Sequence, residues 1–168
     1  AGLSRGLGDV YKRQVLNTLD GNTTGAVNAA TVATLTGTAA AANTAYASSG
    51  ISGLGDEAVT LSDTSLATTV LNTLDGNTTG AVNAATVTTL TGTAATANTA
   101  YASSGISGLG NEAVTISDTS LASTVLNTLD GNTTGTVNAA TITTLTGLAA
   151  DANTAYASSG ISGLGDEA

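Results

Sequence analysis

Any chemistry in this chain has to come from carboxylates and hydroxyls. Its 168 residues contain no Cys, His, Pro, Met, Trp or Phe, and 3 basic residues stand against 12 acidic ones. Carboxylates recur as Asp56-Glu57, Asp63 and Asp75, and again as Glu112, Asp118 and Asp130. Clustered carboxylates suit calcium, which takes about 6–8 oxygen ligands. The candidate ligands are therefore Asp56, Glu57, Asp75, Glu112 and Asp130. Two features weigh against them. Gly53-Leu54-Gly55-Asp56 lacks the spacer of a GGxGxD calcium repeat, and its Asp is replaced by Asn111 one copy later. Asp75-Gly76-Asn77 lacks the alternating acidic spacing of an EF-hand loop. The expectation is that these groups serve as solvated turns and helix caps, with Asp63 an N-cap. Calcium is the one cofactor to test, and no other is expected.

Hydroxyls give less. Ser, Thr and Tyr have no His or Cys to activate them, and no Lys or Arg follows residue 14 to stabilise an oxyanion or bind phosphate. Paired carboxylates alone could serve a glycosidase, but one identical pair in every copy would be unusual. The sequence therefore predicts no enzyme and no catalytic residue. Three basic residues cannot neutralise a nucleic-acid backbone. No apolar run long enough to span a bilayer occurs, so no membrane insertion is expected. Thr-x-Thr pairs, such as Thr89-Leu90-Thr91, are the type found on ice-binding faces, though sparse here.

The elements that must position these groups come from a repeat. ISGLG begins at Ile51, Ile106 and Ile161, and VLNTLDGNTTG at Val15, Val70 and Val125, a period of 55. Aligning 51–105 on 106–160 leaves 7 differences: Asp56/Asn111, Leu61/Ile116, Thr68/Ser123, Ala81/Thr136, Val87/Ile142, Thr93/Leu148 and Thr96/Asp151. Near-identical copies point to a stacked array rather than one asymmetric active site. The expected organisation is a leader, 1–14, followed by the array, 15–168, with copies 15–50 (partial), 51–105, 106–160 and 161–168 (partial). The leader holds all the basic residues, Arg5, Lys12 and Arg13, and resembles translated sequencing-adapter sequence. The array is expected to be a piece of a longer run.

Within residues 58–112, Ala58-Val59-Thr60-Leu61 and Ala81-Val82-Asn83-Ala84 read as short strands. Leu66, Val70, Leu71 and Leu74 mark a helical face, with Gly76 as its C′ residue. Val87, Leu90, Ala94, Ala97 and Tyr101 mark another, as one helix near 86–91 and a firmer one near 93–103, or a single kinked helix ended by Ser103-Ser104-Gly105. Asn72, Asn83 and Asn98 are expected to form hydrogen-bonded ladders or satisfy turn backbone. The predicted fold class is α/β: a curved right-handed solenoid of 55-residue strand–helix–strand–helix repeats with a parallel sheet. The alternative is a right-handed β-solenoid, with 86–93 as a Thr- and Val-rich strand.

The string NTLDGNTTGAVNAATVTTLTGTAATANTAYASSGISGLGDEAVTLSDTSLA resembles the repeats of giant surface-exposed or secreted proteins of marine bacteria, of adhesin or cell-surface-motility type. The resemblance covers residues 15–168. It implies a cell-surface or extracellular location and a scaffold or adhesion role, and it transfers no site residues. The expected function is a structural spacer whose partners are neighbouring repeats of the same chain. The alternative is an array that itself binds a glycan, calcium or ice on its concave or Thr-rich face.

Overall fold

The computed structural model describes residues 10–165 and 167. The chain runs β1 (Val10–Lys12), α1 (Arg13–Gly21), β2 (Val27–Asn28), β3 (Thr34–Gly37), α2 (Ala39–Ala47), β4 (Ile51–Ser52), β5 (Ala58–Leu61), β6 (Ser65–Ala67) and α3 (Thr68–Asn77). It continues through β7 (Val82–Asn83), β8 (Thr89–Gly92), α4 (Ala94–Ala102), β9 (Ile106–Ser107), β10 (Ala113–Ile116), β11 (Ser120–Ala122) and α5 (Ser123–Asn132). It ends with β12 (Val137–Asn138), β13 (Thr144–Thr146), α6 (Ala149–Ala157) and β14 (Ile161–Ser162). This is an α/β fold with parallel strand pairing throughout the described residues.

Two five-stranded sheets carry most of the strands, in the orders β1-β3-β5-β7-β9 and β14-β12-β10-β8-β6. Partners lie 23 or 24 residues apart: Leu35 sits beside Val59, Val59 beside Val82, and Val82 beside Ile106. Alternation explains which side chains go inward. In β5, Val59 and Leu61 are buried while Ala58 and Thr60 are exposed, as a pleat requires. Helices pack in chain order, α1 on α2, α2 on α3, and so on to α6. The core is Leu, Val, Ile and Ala, with Leu71, Leu74, Leu90, Leu126 and Leu129 fully buried.

The local reading needs three corrections. Residues 86–91 contain no helix: β8 occupies 89–92, where β-branched threonines flank an inward Leu90 between β6 and β10. Strands accordingly come two or three in succession between helices, not one. Leu66 lies in β6, and α3 begins only at Thr68, because Leu66 pairs beside Leu90 in the ladder. Gly76 lies inside α3, which runs on to Asn77 with Thr78 as C-cap. The firmer helix near 93–103 is α4, with Thr93 as N-cap and Ser103 as C-cap. The six helices among the described residues make the fold mixed α/β rather than all-β, while the strand that the alternative placed in 86–93 is present as β8.

One glycine shows how tightly successive segments meet. Gly108 holds φ +83°, and a Cβ there would lie 2.7 Å from the Ala85 backbone nitrogen. Only glycine meets both conditions.

Candidate functional site

The polar groups fall into three recurring arrangements. The first is built on Glu57 and Glu112, both buried among strand-end loops. Oε2 of Glu112 accepts from the Tyr101 hydroxyl at 2.9 Å and from the Gly110 backbone N–H at 2.9 Å. Glu57 repeats this with Tyr46 and Gly55. The Glu112 carbonyl accepts from Thr133 at 2.7 Å, and the Glu57 carbonyl accepts from Thr78 at 2.8 Å. Oε1 of each glutamate is buried without a hydrogen-bond partner. Burial of the Tyr101 phenol, and then the neighbouring Glu112 carboxylate, raise its pKa well above the ordinary tyrosine value; the Thr133 hydroxyl opposes this.

The second arrangement caps helices at a distance. Oδ2 of Asp63 accepts from the Ala39 N–H at the start of α2, 2.8 Å away, and Asp118 does the same for Ala94 in α4. Asp63 is thus an N-terminal cap, but for the helix 24 residues before it rather than for α3, whose own N-cap Ala67 makes no side-chain bond. A carboxylate at this position also complements the helix dipole.

The third joins helix to helix. Asn17 donates to the Ala41 carbonyl at 2.9 Å, Asn43 to Val70 at 3.1 Å, Asn72 to Thr96 at 2.9 Å, Asn98 to Val125 at 3.1 Å and Asn127 to Asp151 at 2.9 Å. Asn77 and Asn132 donate to the Oδ1 of Asn43 and Asn98. Asn83 instead satisfies a turn, accepting from the Ala85 N–H. Of the two expected roles, Asn83 takes the turn role, while Asn72 and Asn98 donate to backbone carbonyls of the next helix rather than forming an asparagine ladder. Asp75 and Asp130 accept from Ser103 and Ser158 at 2.7 Å.

The five calcium candidates are not brought together. Asp56 is exposed, Glu57 and Glu112 lie buried against tyrosines, and Asp75 and Asp130 bind serines. Among the described residues no three acidic groups converge on a point that could hold a metal. The sequence alone does not mark the Tyr–Glu pairs, whose members lie 11 residues apart. Their one signal is the strict co-occurrence of Tyr and Glu once per copy. Among the described residues, no helix is long and apolar enough to cross a membrane. No family model, curated protein or solved structure matches the chain.

Proposed function

We propose that residues 15–168 form a non-catalytic structural spacer of a large bacterial cell-surface or secreted protein, built as a curved right-handed solenoid. The observation that carries this reading is where the polar groups go. Glu57, Asp63, Asn72, Asp75 and Asn98 each bond to a group well separated in sequence, and their interactions tie successive segments together. A binding or catalytic surface needs such groups presented to a ligand. Here they are used to hold neighbours.

Curvature follows from spacing. Paired strands sit roughly 4.8 Å apart, whereas packed helices need roughly 8–10 Å. A row of helices on one side of closely spaced strands bends the stack, with strands inside. The exposed surface of the repeat carries carboxylates and no basic residue, which suits a segment that stays extended and does not self-condense in salt. Small-angle scattering of chains with two, four and six full copies tests this. Maximum dimension should grow steadily with copy number, and calcium titration should give no stoichiometric heat. A constant dimension, or tight calcium binding once per copy, would overturn the spacer. A surface location predicts protease accessibility of the array on intact host cells.

A further inference from the structure

We infer that Glu57 and Glu112 each hold a monovalent alkali cation, sodium or potassium, on the carboxylate oxygen Oε1. The two residues are 1% and 0% exposed, so both carboxylates lie in the interior. Oε2 of each accepts from a tyrosine hydroxyl and from a glycine N–H. Oε1 of each is buried and accepts from nothing. A carboxylate taken out of water needs an opposite charge, together with donors on both oxygens. Here one oxygen has its donors and the other has none. No side chain of the repeat can supply the charge, because residues 14–168 contain no Lys, Arg or His. The group that completes the site therefore comes from solution and carries positive charge.

The neighbouring groups set the class of ion. Beside Glu112 stand the Tyr101 hydroxyl and the Thr133 hydroxyl, which bonds the Glu112 carbonyl at 2.7 Å and also meets the Tyr101 phenol. These are neutral oxygens. One carboxylate among neutral oxygens balances a single positive charge. Calcium calls for about 6–8 oxygen ligands, several of them carboxylates. Among the described residues, no three acidic groups gather to provide them. The chain has no Cys or His to favour a softer metal.

The two copies agree. The tyrosine and glycine bonds to Oε2 are 2.9 Å in both. The exposed residue beside the glutamate is Asp56 in one copy and Asn111 in the other, so its charge is not part of the arrangement. A Cβ on Gly55 or Gly110 would meet nothing within 4 Å. The loop segment bonded to each carboxylate thus borders open space, which gives an ion a way in.

The test is thermal unfolding of the 168-residue chain in sodium, potassium or tetramethylammonium chloride, at equal ionic strength and neutral pH. Equal ionic strength holds screening constant. Tetramethylammonium is too bulky to seat on a buried carboxylate oxygen. The wild type should melt roughly 2–5 °C higher in sodium or potassium, through mass action on the folded state. The double variant Glu57→Gln, Glu112→Gln should melt alike in all three salts, whereas Asp56→Asn should keep the wild-type difference. Far-UV circular dichroism confirms that each variant is folded. A wild type that melts alike in the three salts overturns the inference, and so does a difference that survives in the folded double variant. If the double variant does not fold, sodium NMR line widths decide: saturable broadening by the folded wild type supports the site, and its absence overturns it. The spacer reading is tested separately, by how maximum dimension grows with copy number.

Discussion

Helices α4 and α6 are nearly the same sequence in two settings. They differ at Thr96/Asp151, and just before them at Thr93/Leu148. In α4, flanked by α3 and α5, Ala94, Ala97 and Ala100 are all buried; in α6, packed on α5, only Ala155 is. Burial of a given alanine is therefore a property of its neighbours, not of its own helix. The proposed stacked array would behave this way, its stability being a sum of nearest-neighbour terms. The comparison also shows which features are local, because those should respond identically in both settings.

The largest difference should appear in the strands beside these helices. Leu90 is fully buried, and its counterpart Leu145 only partly so. Leu90→Ala should cost ~2–5 kcal/mol, the range for emptying a packed aliphatic site. Leu145→Ala should cost about half that or less, since less contact is lost. Urea unfolding of the two variants measures this, and equal losses would break the neighbour-dependent picture.

Glycines sharpen the comparison from the other side. Gly108 and Gly163 hold φ +83° and +84°, and a Cβ on either would meet a backbone nitrogen at 2.7 Å. The geometry is the same in both settings. Gly108→Ala and Gly163→Ala should each cost ~1–3 kcal/mol through backbone strain. A large inequality in their melting temperatures would show that even this turn depends on what lies beyond it.

How much of this the sequence revealed follows the same division. Local features were legible. The short strand at 58–61, the helix of Ala94, Ala97 and Tyr101 ending at Ser103, and the α/β class all follow from short-range pattern, whereas the Thr93 cap does not. Features made between segments were not. Residues 86–91 satisfy a helical stripe through Val87 and Leu90, yet they also carry strand-type threonines, and pairing with β6 and β10 decided for the strand. The register of 23 or 24 residues is invisible in a 55-residue period because the strands paired across it have different sequences, Leu35 beside Val59 and Val59 beside Val82. Asp63 was recognised as a cap by its residue type, but the helix it caps could not be read, since that contact crosses 24 residues. Glu57 and Glu112 looked like solvated carboxylates, and only their tyrosine partners show why they are buried.

Asparagine bridges offer a smaller contrast. Asn98 donates across to Val125 and accepts from Asn132, whereas Asn153, at the same place in α6, is exposed. Asn98→Ala should cost ~1–2 kcal/mol, the net worth of one or two neutral hydrogen bonds. Asn153→Ala should fall within ~0.5 kcal/mol of wild type, as exposed substitutions do. Denaturant midpoints at low protein concentration decide it.

A gain is expected at the start of α6. Thr93 accepts from the Thr96 N–H at 3.2 Å, while Leu148 caps nothing and is 72% exposed. Leu148→Thr should restore the cap and stabilise the protein by ~1 kcal/mol. Asp151, in the first turn of α6, already gives the dipole some compensation, so the gain belongs to the hydrogen bond. A lower melting temperature for Leu148→Thr would mean that this leucine packs usefully despite its exposure.

The smallest effect is a pH dependence at Tyr101. Its raised pKa in the folded protein means that folding favours the protonated phenol, held against the Glu112 carboxylate. The unfolded chain releases that proton near pH 10, the ordinary tyrosine value. Between there and the higher folded value, the unfolded state binds fewer protons, so stability falls as pH rises. Below the ordinary value the contribution is fully present. Partial exposure of the ring screens its size. Tyr101→Phe removes the titrating group, so its stability should decline less than that of wild type above the ordinary tyrosine range. Parallel curves for the two proteins in that range would place the alkaline loss on the other tyrosines instead.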